Sequence, residues 1–168
     1  MLEALKQAVY EANMALSRYG LVTLTWGNVS AIDRTQGVIV IKPSGVDYER
    51  LQPQDMVVMD LEGRQVEGGL RPSSDTRTHL EIYRAFATVG SVAHTHSTYA
   101  TAWAQAGRGI PCYGTTHADY MYGEIPCVRC LTQEEIDEDY EANTGRLIVQ
   151  AFRDKGLDPA AMPAVLCK

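Results

Sequence analysis

The sequence predicts an α/β protein in which helices cover a β-sheet within one domain. Three observations support this prediction. The chain has 168 residues, close to the size of a typical single domain. Its composition, 45% hydrophobic and 21% charged, is typical of a globular protein and excludes a disordered or coiled-coil chain. Runs of β-formers dominate the first half, whereas strand-like and helix-like segments alternate in the second half.

The first half is predicted to be one helix followed mainly by strands. Apolar residues recur at steps of four, three and four along one helix face, and Gly20 ends this helix. These apolar residues are Leu5, Val9, Ala12 and Leu16. Segments rich in β-formers predict strands over residues 21–25, 28–32, 37–41 and 55–61, and the turn Glu62-Gly63 then forms a hairpin with 64–67.

The second half is predicted to alternate between helices and strands. Residues 73–75 offer N-cap side chains, and Thr132 with Glu135 forms a capping box at the start of the last helix. In chain order, we predict a helix over 76–86, a strand over 91–96, a helix over 97–106, a long loop over 108–130, a helix from 132 to Gly156 and the beginning of a strand at 164–166.

The charge and the cysteine content exclude several classes of function. Lys and Arg number 15 against 21 Asp and Glu, a formal net charge of −6, so we expect neither a nucleic-acid nor a membrane partner. Any phosphate must therefore be recognised locally. The sequence shows no membrane-spanning run and no secretion signal at its start. Four cysteines are too few for a disulfide scaffold, and a reducing cytoplasm is expected.

The strongest local signal for chemistry is the pair His94 and His96. On a strand, residues two apart point to the same face, with Cα atoms roughly 6.5 Å apart. Two imidazoles at that spacing can converge on one metal ion, although a pair of ordinary surface or core histidines remains an alternative. Asp75 is either a third ligand or a helix cap. Asp119, in a Gly- and Thr-rich loop, is either a general acid/base or a turn residue.

Three short segments could bind an anion through hydroxyl and backbone N–H groups. They are residues 26–28, 42–45 and 73–74. Each segment alone is also consistent with an ordinary loop. Lys42 would add a point charge to the second segment, although most lysines are solvated surface residues. The three segments therefore indicate a phosphate site only when they are taken together with other signals.

Five motifs in one order resemble the class II aldolase/adducin family. They lie at residues 21–30, 41–46, 71–76, 94–97 and 114–120, so the resemblance spans nearly the whole chain. Within the family, the chain most resembles the epimerases that interconvert L-ribulose 5-phosphate and D-xylulose 5-phosphate. The resemblance implies a three-layer αβα sandwich around a central, mostly antiparallel sheet. It also implies a four-fold symmetric homotetramer with active sites between subunits.

The resemblance also implies roles for individual residues. Asp75, His94 and His96 match the positions that hold a divalent metal, usually zinc, with manganese as an alternative. Asp119 matches a catalytic acid/base. The implied reaction is a metal-assisted retro-aldol cleavage followed by recondensation, in the catabolism of arabinose or ascorbate. The positions that bind the sugar phosphate are matched by Gly27, Asn28, Lys42, Ser44, Gly45, Ser73 and Ser74.

The resemblance leaves three functional hypotheses open. Family members continue beyond the motif positions matched here, into segments that hold a further metal-binding histidine and a tyrosine acid/base. We therefore expect residues 1–168 to form a single family domain that lacks the C-terminal part, with weakened epimerase activity. A ketose-1-phosphate aldolase is the first alternative, although Asp75 and the setting of Asp119 favour the epimerase. A non-catalytic scaffold, as in adducin, is the second.

Overall fold

The structure is a computed structural model that describes residues 2–168. Its five helices are α1 (Leu2–Arg18), α2 (Thr76–Ala85), α3 (Thr98–Gln105), α4 (Thr115–Ala118) and α5 (Gln133–Asp154). Its five strands are β1 (Asn28–Asp33), β2 (Val38–Ile41), β3 (Val57–Asp60), β4 (Gln65–Glu67) and β5 (Ser91–His94), and a short 3₁₀ turn lies at Pro53–Asp55.

The strands form a single antiparallel sheet in the order β4-β3-β2-β1-β5. The first four strands follow one another as a meander, whereas β5 returns after α2 to pair with the free edge of β1. This return pairs Asn28 at the start of β1 with His94 at the end of β5. Two residues that are far apart in the sequence are thereby fixed side by side.

Helices cover both faces of this sheet. Val40 and Val58 pack on one face with Val9 of α1. Their neighbours Ile39 and Val57 point to the opposite face, where they join Leu80 of α2 and other apolar side chains. Helix α2 in turn packs against α5. The alternation of side chains along each strand thus buries both faces, and the predicted three-layer αβα sandwich is confirmed.

A buried polar network ties β1 to α2 beneath the sheet. Ser30 Oγ lies 2.7 Å from His79 Nδ1 and 2.8 Å from the hydroxyl of Tyr83. The Tyr83 hydroxyl also donates to the Ser30 carbonyl oxygen, at 2.9 Å. Burial lowers the pKa of His79 to about 4, so the imidazole is neutral at physiological pH. The network satisfies polar groups that burial would otherwise leave without partners.

The structure differs from the predicted elements in three places. Residues 21–25 form no strand, because the backbone turns there: Leu24 adopts a φ of 55° and the Trp26 amide donates to the Thr23 carbonyl. Strand β5 ends at His94, two residues earlier than predicted. The predicted strand start at 164–166 is reduced to a single parallel bridge between Leu166 and Cys127. The other predicted helices and strands are present, and the predicted loop contains the short helix α4.

Two global features can be stated for the described residues. No helix within residues 2–168 combines the length and the apolar character needed to cross a membrane. All four cysteines, Cys112, Cys127, Cys130 and Cys167, carry free thiols.

Candidate active site

One pocket of about 220 Å³ opens where three segments of the fold meet. These segments are the loop that enters β1, the loop that leaves β2 and the turn that precedes α2. The end of β5 closes the fourth side, because it pairs with the start of β1. Ten of the eleven residues predicted from the sequence line this pocket: Gly27, Asn28, Lys42, Ser44, Gly45, Ser73, Ser74, Asp75, His94 and His96.

The two histidines converge at one end of the pocket. Their Nε2 atoms lie 2.9 Å apart, with the ring planes at 78°. Two nitrogens at this separation subtend an angle of about 90° at an ion bound 2.0–2.1 Å from each. Burial lowers the pKa of His94, although Asp75 opposes this shift. The lowered pKa favours the neutral imidazole that a metal requires. The pair is therefore arranged as two ligands of one ion.

Asp75 lies beside the histidines but is engaged by Asn28. The Asn28 amide donates to Asp75 Oδ2 at 2.6 Å and to Ser73 Oγ at 3.1 Å. Asp75 occupies the N-cap position of α2, yet its side chain makes no capping hydrogen bond, so the capping interpretation is wrong. Within residues 2–168, no group of three or more His, Cys, Asp or Glu side chains is assembled to hold a metal ion.

The donor set nevertheless fits a divalent metal. Two imidazoles and one carboxylate are the protein ligands of many catalytic zinc sites. Asn28 is 2% exposed, and its Oδ1 atom is buried without a hydrogen-bond partner. In the opposite amide orientation, the Oδ1 atom of Asn28 would face the Asp75 carboxylate, and the oxygens would repel each other. This repulsion fixes the orientation of the amide. A buried acceptor without a donor indicates that a ligand or a water completes this end of the pocket.

The same pocket contains a buried cation that forms no salt bridge among the described residues. Lys42 is 1% exposed, and its Nζ atom donates to the carbonyl oxygens of Thr25, at 3.2 Å, and Pro43, at 3.4 Å. No salt bridge among the described residues includes Lys42. Burial lowers the pKa of its ammonium group, while Asp47 opposes this shift. The pocket therefore offers a positive charge that an anionic ligand can neutralise.

Free backbone amides line the same pocket as this cation. Within residues 2–168, the N–H groups of Gly27, Gly45 and Ser74 donate to no protein acceptor, and all three residues line the pocket. Gly27 adopts a φ of +74°, and a Cβ atom there would overlap the Val22 side chain and lie 2.9 Å from the His94 carbonyl oxygen. Only glycine fits this position without displacing the chain that carries His94.

Asp119 is the one predicted site residue that the structure leaves outside the pocket. It follows α4 directly, is exposed to solvent and is not among the lining residues. The same segment exposes three large aromatic side chains, since Tyr113, Tyr120 and Tyr122 are 78%, 73% and 83% exposed. A single subunit therefore does not bring Asp119 to the metal and anion ends of the site.

Two aromatic residues near the pocket were not predicted as functional. Trp26 lines the pocket beside His96, with ring centroids 5.3 Å apart, and remains 54% exposed. Trp26 belongs to the segment 26–28, in which only Gly27 and Asn28 are predicted as site residues. Tyr48 lies behind the pocket, and its hydroxyl donates hydrogen bonds to the backbone carbonyls of Trp26 and Gly27. Its only sequence signal is its position three residues after Gly45.

Comparisons with known proteins agree with this geometry. The family model described as Class II Aldolase and Adducin N-terminal domain matches residues 7–167. Two curated proteins named L-ribulose-5-phosphate 4-epimerase UlaF, from Salmonella paratyphi C (strain RKS4594) and Salmonella choleraesuis (strain SC-B67), are each 57% identical to this chain over 165 residues. Each alignment covers 98% of this chain and 72% of the relative.

Solved structures with the same fold carry aldolase names. A structure named L-fuculose 1-phosphate aldolase superposes with a TM-score of 0.74 at 28% identity, covering 85% of this chain and 68% of that one. A second, L-fuculose-1-phosphate aldolase from Thermus thermophilus, has a TM-score of 0.70 at 26% identity, covering 92% and 73% of the two chains.

Proposed function

Because this chain belongs to the class II aldolase and adducin family, we propose that it interconverts L-ribulose 5-phosphate and D-xylulose 5-phosphate as a sugar-phosphate 4-epimerase. The relatives of that name at 57% identity support this substrate. One observation carries the proposal: a single pocket is lined by an imidazole pair, a carboxylate and a buried ammonium that forms no salt bridge. A phosphorylated ketose presents the matching groups, a carbonyl with adjacent hydroxyls and a phosphate.

The ammonium end of the pocket would bind the phosphate. Lys42 contributes the charge, and the free N–H groups of Gly27, Gly45 and Ser74 contribute donors. The hydroxyls of Ser44, Ser73 and Ser74 lie in the same lining. Local donors and one cation suffice for a phosphate even though the whole chain is acidic, because anion binding depends on the field at the site.

The imidazole end would hold a divalent metal, for which we propose zinc. Asp75, His94 and His96 would be its protein ligands. Such an ion supplies Lewis-acid chemistry, which polarises the ketose carbonyl. The hydrogen bond from Asn28 to Asp75 would orient the carboxylate, as outer partners of metal ligands commonly do.

The proposed reaction breaks and remakes the bond between C3 and C4. Asp119 would accept the proton of the C4 hydroxyl while the electrons of the C3–C4 bond move to the ketose fragment, giving its enediolate and glycolaldehyde phosphate. The phosphate contacts would keep this aldehyde in the pocket while it turns its carbonyl face. Carbon C3 then attacks the other face, and a second acid on that side returns a proton to the C4 oxygen.

Asp119 would reach the reacting atoms from a neighbouring subunit. Its exposure, and the exposed tyrosines around it, support a surface that another copy covers. We accordingly propose that the active assembly is a homotetramer with sites between subunits, and that residues 1–168 form one domain of it. We place the protein in the cytoplasm, where a reducing environment suits four free thiols.

A ketose-1-phosphate aldolase is the second candidate, favoured by the solved structures named L-fuculose 1-phosphate aldolase. An assay of L-ribulose 5-phosphate with zinc or manganese separates the two functions. The epimerase converts it to D-xylulose 5-phosphate without releasing fragments, whereas an aldolase releases two products from a ketose 1-phosphate. A scaffold would purify without metal, show neither reaction and be indifferent to His94→Ala. We propose that the reaction serves the catabolism of arabinose or of ascorbate.

A further inference from the structure

A tyrosine behind the pocket holds the backbone of the loop that enters β1. The Tyr48 hydroxyl lies 3.0 Å from the carbonyl oxygen of Trp26 and 3.0 Å from that of Gly27. The side chain is buried, with the residue 5% exposed, and the hydroxyl has one proton to share between the two acceptors. Lys42 holds the preceding carbonyl, that of Thr25. Side chains that follow β2 thus engage three successive carbonyl groups.

Holding a carbonyl oxygen also fixes the direction of the amide in the same peptide unit. In a trans peptide the C=O and N–H bonds point in opposite directions. The carbonyl of Trp26 is directed at the Tyr48 hydroxyl, so the N–H of Gly27 is directed away from it. Gly27 lines the pocket, and its N–H group donates to no acceptor within residues 2–168. The anchored carbonyl therefore leaves this amide available to a ligand.

We propose that Tyr48 is a positioning residue for the phosphate end of the site. Its hydroxyl presets the 25–27 loop so that the Gly27 amide meets a phosphomonoester without reorganisation of the backbone. Tyr48 itself contacts no ligand and takes no part in proton transfer. The inference rests on the proposed function, because it assigns the phosphate of the ketose to this loop. Preorganised donors bind more tightly because the ordering cost is met during folding.

The hydroxyl and the ring of Tyr48 have separable roles. Lys42 Nζ lies 4.8 Å from the centroid of the Tyr48 ring, so the ring stabilises the ammonium by a cation–π contact. Tyr48→Phe removes only the hydroxyl and leaves this contact in place. Burial raises the pKa of Tyr48 to about 12, and the hydroxyl therefore remains a neutral donor throughout an ordinary assay.

The test compares Tyr48→Phe with Tyr83→Phe in the full chain. Tyr83 is a matched control, since its buried hydroxyl also makes two hydrogen bonds, at 2.8 and 2.9 Å, but to Ser30. Binding of inorganic phosphate is measured by calorimetry, together with zinc stoichiometry, melting temperature, kcat and KM. For Tyr48→Phe we expect phosphate affinity to fall about three- to tenfold and KM to rise similarly, with kcat and zinc stoichiometry nearly unchanged. For Tyr83→Phe we expect a lower melting temperature and unchanged phosphate affinity.

Three results would overturn the inference, and they are distinguishable. Equal losses of phosphate affinity in the two variants would show that Tyr48 acts only through general stability. If the wild-type chain binds zinc but no phosphate, the phosphate end of the proposed function fails, and the role of Tyr48 fails with it. Turnover of the phosphorylated ketose with an unaffected KM in Tyr48→Phe would remove the role of Tyr48 alone.

Discussion

The pocket loops and the segment that carries Asp119 are built in opposite ways. Each pocket loop joins a strand or helix directly and is bonded to its neighbours, as where the amides of Ser44 and Ser73 donate to the carbonyls of Arg71 and Lys42. The segment around α4 lies in a long connection and exposes Asp119 with several tyrosines. The pocket loops bring their residues together within one subunit, whereas the segment around α4 has the character of a surface that needs a partner.

The largest expected effect on activity is at the imidazole pair of the pocket. His94→Ala removes one of the two imidazoles, and we expect kcat/KM to fall by about 10³-fold or more because the Lewis acid contributes several kcal/mol. Zinc content by elemental analysis should fall in parallel with activity. Retained activity in a variant free of metal would show that the imidazole pair is structural, and the division between the two regions would then have no catalytic meaning.

Asp119→Asn tests the exposed region directly. We expect kcat to fall by about 10²-fold or more, with KM and zinc content unchanged, because only proton transfer is lost. Mixing refolded Asp119→Asn and His94→Ala chains should restore up to about a quarter of wild-type activity, since random assembly pairs intact halves of the shared site at that frequency. Two variants that stay inactive after mixing would place Asp119 and the pocket within one subunit.

Lys42→Met tests the part of the pocket that is proposed to bind phosphate. We expect KM to rise about ten- to a hundredfold, because a charged hydrogen-bond donor is lost from a buried site. In the wild type, burial lowers the pKa of Lys42, so its charge is present below that lowered pKa and is lost above it. KM should therefore begin to rise at a lower pH than the titration of a solvated lysine would give. A KM profile that is flat across alkaline pH would contradict this assignment.

The smallest expected effects are on stability, at one glycine of the pocket and one glycine of the segment around α4. Gly27→Ala places a Cβ atom at positive φ against Val22 and the His94 carbonyl, and we expect a loss of about 1–3 kcal/mol in the free energy of unfolding. Gly114 precedes α4 in extended backbone with open space around it, so Gly114→Ala should change stability by less than about 0.5 kcal/mol. Thermal unfolding of the two variants measures the difference, and equal losses would contradict it.

Ten of the candidate site residues come together in the fold because they lie next to regular elements. Runs of β-formers indicated the strands β1 and β2, and the N-cap residues at 73–75 indicated α2. The polar residues that flank these elements meet once the sheet order is known. The prediction that His94 and His96 lie on one strand was nevertheless wrong, although the two side chains do converge. Strand β5 stops at His94, and the chain beyond it turns so that the two Nε2 atoms still meet.

Other features depend on contacts that no local pattern encodes. The β-formers at 21–25 stay out of the sheet because β5, from a distant part of the chain, takes the place beside β1. The role of Tyr48 depends on carbonyl groups more than 20 residues away. The position of Asp119 outside the pocket could not be predicted from the sequence, because propensity and periodicity identify elements but do not place the loops between them.

The free amides of the pocket give the ligand a signature in hydrogen exchange. Amides within the sheet can exchange with solvent only when the sheet opens, whereas those of Gly27, Gly45 and Ser74 are unpaired in the folded protein. These three positions are distant in sequence but line the same pocket. A bound anion would slow their exchange together while leaving the sheet unaffected, so occupancy of the phosphate end could be followed in solution without any catalytic turnover.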